Sequence, residues 1–286
     1  MSTRTRIRIL NASARDGATW VSLAFALFLK KPLALSAMFA LFLFAALVFL
    51  VLPYVGPVLL LMAMPLLGLG FMIASRSAMA GGPVHAGQLL EPLRGGSAVA
   101  VARRKQLLAL CGAYALSSAL VMLASDALDG GAFEKLQILL ASGRNEAVQK
   151  QIDALLGDPS LLNGMLLRLG GTALLSIPFW HAAPLVWWQG QGVAQALFSS
   201  TVACWRNRAA FVVYGLAWTV TIVVFGVVAG GIFALIGAPQ MISLAAIPAG
   251  LMFSTAFYTS LLFTYQGCFG DAAEAAPTSP PQIDLN

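Results

Sequence analysis

Residues 20–79 read WVSLAFALFLKKPLALSAMFALFLFAALVFLVLPYVGPVLLLMAMPLLGLGFMIASRSAM, and this stretch decides the fold. Between Lys31-Pro32 and the Pro53-Tyr54-Val55-Gly56-Pro57 turn, residues 33–52 carry no charge, and residues 58–75 return without one before Arg76. A bilayer core of ~30 Å needs ~20 helical residues, because no backbone polar group can go unpaired in lipid. The turn supplies the prolines and the glycine that break a helix as it emerges. The stretch is therefore a helical hairpin that crosses a membrane twice.

Upstream of the hairpin, Trp20, Ala24, Leu27 and Phe28 recur at helical spacing in a segment too short to span before Lys30-Lys31. It is expected as an amphipathic helix along the interface, its two lysines among the headgroups. Residues 1–17 hold Arg4, Arg6, Arg8 and Arg15 and few apolar side chains, which predicts a flexible cytosolic arm.

Downstream, the same reading gives four more spans at about residues 106–124, 165–188, 211–232 and 242–263, six in all within a membrane domain 18–268. A glycine- and proline-rich loop closes at Arg103-Arg104-Lys105 ahead of the third span. Residues 126–163 form the sizeable polar insert. Phe133, Leu136 and Leu140 make one stripe there and Val148, Ile152, Leu155 and Leu156 another, which predicts two short amphipathic helices. Asp158-Pro159 reads as a cap and first turn of the fourth span, and Pro178 and Pro184 predict a kink in it. Residues 269–286 read as an acidic, disordered tail.

A second copy of the opening arrangement lies near the C-terminus. Val193, Leu197, Cys204 and Trp205 give an apolar side, Arg206-Asn207-Arg208 stands where the lysine pair stood, and a hairpin follows across Gly237-Ala238-Pro239. This predicts a duplicated unit of interfacial helix, basic hinge and helical hairpin, both copies in the same orientation. The fold class is thus all-α, a polytopic membrane bundle.

Composition excludes an ordinary soluble enzyme: 59% of the residues are hydrophobic and 10% charged, with a mean hydropathy of +0.83. Of 17 Lys and Arg, all but Lys135, Arg144, Lys150 and Arg168 fall on the side of the termini. Cation-rich segments stay cytosolic, so both termini are expected to face the cytosol and the insert to face outward. The net charge of +6 points to anionic headgroups and not to nucleic acid, because the cations flank apolar runs. A membrane-protein partner is compatible with this face, and the oligomeric state is left open.

Candidate sites are few. Lys30, Lys31, Arg103, Arg104, Lys105, Arg206 and Arg208 are candidate lipid-headgroup contacts, and the plainer reading makes them topology signals with nonspecific attraction of ~1 kcal/mol each. His181 is a candidate intramembrane polar site, either a structural histidine or a gate for a proton or substrate. Arg168 either snorkels to outer headgroups or meets substrate. Gly226 and Gly230 offer a helix-packing ridge. Cys111, Cys204 and Cys268 have no metal or dithiol spacing, and two histidines are too few for a histidine-built metal centre. No HExxH, phosphate loop, GxSxG or paired intramembrane aspartates occur, so neither enzyme, cofactor nor metal is expected.

Taken together, Trp20, the run Phe28-Leu29-Lys30-Lys31-Pro32-Leu33, the Leu52-to-Pro57 turn, Gly68 to Arg76, and Pro184-Leu185-Val186 through Cys204-Trp205-Arg206-Asn207 resemble an uncharacterised family of bacterial six-span inner-membrane proteins. That family is distantly similar to the membrane domain of glycerophosphodiester phosphodiesterases. The resemblance implies the six-span fold and carries over no functional residue. Two functions follow as expectations: a scaffold or accessory protein that holds lipid and envelope partners, or a transporter or channel for a lipid or other hydrophobic solute.

Overall fold

Among the described residues six apolar helices are long enough to cross a membrane, and they carry the architecture. The computed structural model describes residues 8–143, 145–238 and 240–270. Most of the N-terminal arm and of the tail, together with Arg144 and Pro239, lie outside the described residues. Among those described, the chain is helical without a strand.

Helix α1 (Ala14–Lys30) leads through Lys31 into α2 (Pro32–Leu50), which turns into α3 (Val55–Met79). Proline at the first position of α2 costs no hydrogen bond, because that amide has no helical partner anyway. In the turn, a Cβ on Gly56 would lie 1.7 Å from the Phe49 carbonyl oxygen, so only glycine lets α3 start this close to α2. Two short 3-10 turns (Ala86–Leu89 and Glu91–Leu93) then precede α4 (Ala98–Asp129).

The polar insert forms α5 (Ala132–Ala141) and α6 (Glu146–Leu156), whose inner residues Ala132, Leu136 and Ile152 pack together with Leu161. Leu140 and Leu156, expected on the apolar stripes, are exposed at 66% and 61%. Asp158 caps α7 (Pro159–Phe179), its side chain accepting from the Ser160 N–H at 2.8 Å, and that bond holds the exposed carboxyl below its usual range. Beyond α7 come α8 (Ala182–Trp187), α9 (Val193–Arg206), α10 (Arg208–Leu235) and α11 (Met241–Phe269).

The fourth span breaks at Trp180-His181, between the two prolines. Pro184 has no amide to give the Trp180 carbonyl, and the ladder parts just before it. The gap is filled from α9: Ser200 Oγ donates to Ile177 O (2.9 Å) and accepts from the His181 N–H (3.0 Å). One buried hydroxyl thereby stands between a donor and an acceptor that a continuous helix would have paired directly.

Three elements differ from the sequence reading. Helix α4 begins at Ala98, so Arg103, Arg104 and Lys105 sit on a helix and not at the end of a loop. Charged residues depress a hydropathy window, which is why the first turns were read as loop. Helix α1 is amphipathic as expected, but Trp20, Val21, Ala24, Leu27 and Phe28 are buried against protein, chiefly α10 and α11, and not left to lipid. On α9 the buried face is Ala196, Ser200, Ala203 and Cys204, whereas Trp205 is 69% exposed.

Helix α1 packs chiefly on the other hairpin. It crosses α10 and α11, and in its last turn Phe28 packs with Met38, Phe39, Phe71 and Ala74 of α2 and α3. The crossing is close because a Cβ on Gly17 would lie 2.1 Å from Ala210 O and 2.6 Å from Tyr214 N. Asn207, 2% exposed, locks the junction: its Oδ1 accepts from the Ala12 N–H (2.7 Å) and its Nδ2 donates to Leu10 O (3.1 Å). Gly226 meets nothing within 4 Å and Gly230 would touch only an Ile242 side-chain carbon at 3.4 Å. The closest approaches between helices lie at Gly17, Gly164 and Gly267 and not along the ridge expected on α10.

Candidate functional site: an aromatic groove between α7, α10 and α11

Along one side of the bundle, α7, α9, α10 and α11 enclose a groove of about 1020 Å³. Each helix contributes residues at helical spacing: Ala173, Ser176, Ile177 and Trp180 from α7; Arg208, Phe211, Gly215, Trp218 and Ile222 from α10; Phe253 and Phe257 from α11. Small side chains make the room and aromatic rings make the walls. Trp180 stands edge-on to Phe211, Tyr214 and Phe257 with centroids 5.7, 6.0 and 6.2 Å apart, a geometry that rings favour.

Three polar groups of these walls are already paired, whereas Trp218 Nε1 is buried without a partner. Tyr214 Oη pairs with Ser260 Oγ at 2.6 Å, the Ser176 hydroxyl donates to Ala173 O, and Trp180 Nε1 donates to Thr264 Oγ1 at 3.2 Å. Cys204, at the α9 edge, has its thiol pushed up by burial, and its Sγ donates to Ile177 O at 3.7 Å. Arg208 is the one charged residue in the lining, and its guanidinium carbon lies 5.8 Å from the centre of the Trp205 ring. The groove can take a hydrophobic chain and, at one end, an anion.

His181 does not reach this groove. It is fully buried behind Trp180, with rings of Phe211, Tyr265 and Phe269 around it at 5.9, 6.0 and 5.4 Å. Its Nε2 faces Thr264 Oγ1 at 3.3 Å, and that hydroxyl gives its own hydrogen to Leu261 O, so the histidine ring is the donor. His181 thus ties the broken fourth span to α11.

Arg168 lies eleven residues before the end of α7, about 17 Å along the helix at 1.5 Å per residue, so the two polar candidates do not form one site. Instead of snorkelling, Arg168 bonds Asp126, lies 3.7 Å from Asp129 Oδ2, donates to Ser125 Oγ at 3.3 Å and covers the Phe133 ring at 4.0 Å. Its side chain is 17% exposed and that of Asp129 is 0% exposed. The cluster fastens α4 to α7 beneath the insert. Among the described residues no group of three or more His, Cys, Asp and Glu side chains could hold a metal.

The chain is 31% identical over 280 residues to a probable inner membrane protein of Burkholderia thailandensis, covering 97% of this chain and 100% of that one. It belongs to that protein's family. No family model matches the chain, and no solved structure matches it. This is therefore a multi-pass inner-membrane protein with six apolar helices among the described residues.

Within this inner-membrane protein the seven basic candidates are not equivalent. Arg103 donates to Trp187 O (2.9 Å), Arg104 to Leu93 O (3.0 Å) and Arg206 to the Asn11 side chain. These three secure helix ends and the N-terminal segment. Lys30, Lys105 and Arg208 are exposed and Lys31 is half-buried, and of these four Arg208 alone lines the groove. The groove itself was missed by sequence reasoning; the available signal was Ala173, Ser176 and Gly215, small residues spaced along otherwise bulky spans.

Proposed function

We propose that this protein holds lipid in the groove between α7, α10 and α11 and acts, without catalysis, as a scaffold or accessory protein for envelope partners. The observation that carries this reading is the groove: an aromatic, laterally open cavity with one cation at its end and no further charged group in its walls. Pockets that hold small molecules run to about 1,000 Å³ and are mostly apolar with few polar groups, which is what this one offers. The excess of Lys and Arg on the side of the termini supports an orientation with both termini cytosolic and the insert outside.

Filling the groove tests the reading. Gly215 lines it and has nothing within 4 Å of an added Cβ, so the side chain of Gly215→Phe starts in open space. Each displaced buried methylene costs about 0.8 kcal/mol, so displacing two or three lowers lipid occupancy about tenfold or more. Native mass spectrometry of the purified protein should show that loss with an unchanged melting temperature. Equal lipid retention by both proteins would contradict the proposal.

One observation favours transport of a hydrophobic solute as a second reading. A smaller cavity of about 170 Å³ adjoins the groove and shares Ser176, Trp180, Phe257 and Tyr258 with it. Trp180 forms part of the wall between them. On this reading Trp180→Ala should raise the flux of a fluorescent lipid in proteoliposomes; flux equal to that of protein-free vesicles in both proteins would count against it.

A further inference from the structure

Resting on the reading that the groove holds lipid, we infer that it selects one class of lipid, an anionic glycerophospholipid, seated with its phosphate at Arg208 and one acyl chain lying along α10 towards Ile222. Three observations converge. First, Arg208 is exposed, has no carboxylate partner among the described residues, and is the only charge in the groove's lining. It also sits in the first turn of α10, where the helix's own positive end disfavours a cation, and a bound phosphate would relieve both.

Second, Trp205 stands beside it, exposed, and large amphipathic rings gather at the headgroup level of a bilayer. Arg208 and Trp205 therefore mark the depth at which a headgroup lies. Third, the length fits. From Arg208 to Ile222 is fourteen residues, about 21 Å of helix, whereas half of a ~30 Å hydrocarbon core is about 15 Å. An acyl chain entering beside Arg208 has lining along its whole leaflet.

The basic candidates elsewhere do not offer this combination. Arg103, Arg104 and Arg206 spend donors on the protein, and Lys30 and Lys105 line no cavity described here. Headgroup selection should therefore depend on one residue and not on the charge of the whole face.

The test uses full-length protein in nanodiscs of equimolar phosphatidylglycerol and phosphatidylcholine, with retained lipids counted by native mass spectrometry. Wild type should retain phosphatidylglycerol in preference, Arg208→Gln should lose about fivefold or more of that preference while retaining the same total lipid, and Arg208→Lys should keep most of it. Lys30→Gln removes one charge outside the groove and should change nothing. Unaltered preference in Arg208→Gln, or an equal drop in Lys30→Gln, would overturn the inference and leave the lipid-holding reading intact. If wild type and Gly215→Phe both retain no lipid, the reading itself falls and the inference with it.

Discussion

Gly17→Leu should abolish the folded bundle. Helix α1 crosses α10 where a Cβ on residue 17 would lie 2.1 Å from one backbone atom and 2.6 Å from another. Neither Ala210 O nor Tyr214 N can rotate away, so the helices must separate and uncover Trp20, Ala24 and Leu27, all within 4% exposure. Overpacking ordinarily costs 1–3 kcal/mol, and a backbone clash that parts two helices belongs above about 3 kcal/mol. Size-exclusion profiles and melting temperature in detergent would read the loss. The internal control is Gly226→Ala: nothing lies within 4 Å there, and replacing a helical glycine by alanine is neutral or gains up to about 1 kcal/mol.

Arg168→Ala should be the most damaging substitution at the other end of the bundle. It leaves the buried Asp129 carboxylate facing Gly164 without a cation, strips the ring contact from Phe133, and frees α7 from Asp126, leaving only the Ser125 hydroxyl's bond to Gly164 O. Removing one member of a buried pair typically costs 3–5 kcal/mol; the partly exposed Asp126 places this case at about 2–4 kcal/mol. Thermal unfolding of Arg168→Ala, Asp129→Asn and the double variant would form a cycle. The double variant should recover part of the loss, because an amide at residue 129 needs no counter-charge. Strictly additive losses would mean that Arg168 and Asp129 act independently.

These two sites show what the sequence could and could not display. Spans were legible because hydropathy over about twenty residues reports burial in anything apolar. The Asp158-Pro159 start was legible because its capping chemistry is local. The partner of an apolar face was not: lipid and neighbouring helices are equally apolar, so the stripe on α1 gave no sign that protein would cover it. Glycines are hard to rank for a related reason. Gly226 and Gly230 had the spacing of a packing ridge, yet Gly17, with no such spacing, lies against backbone.

The Arg168 cluster stood within reach. Its carboxylates fall at the insert end of the third span and the arginine near the insert end of the fourth, so a hairpin brings opposite charges together. Weighing each residue alone concealed the pair. The groove was further from view because its walls come from helices well separated in sequence, and no local pattern announces that α7 and α10 leave space between them.

Occupancy of that space by a lipid chain is tested most directly by photolabelling. The full chain would be reconstituted with a phospholipid carrying a photoreactive group in its acyl chain, and labelled peptides mapped by mass spectrometry. Labels should concentrate on groove residues such as Trp180, Gly215, Trp218 and Phe257, and Gly215→Phe should disperse them. Labels spread evenly over the exposed apolar side chains of α10, such as Val220, Val224 and Val227, with no excess in the groove, would contradict the claim.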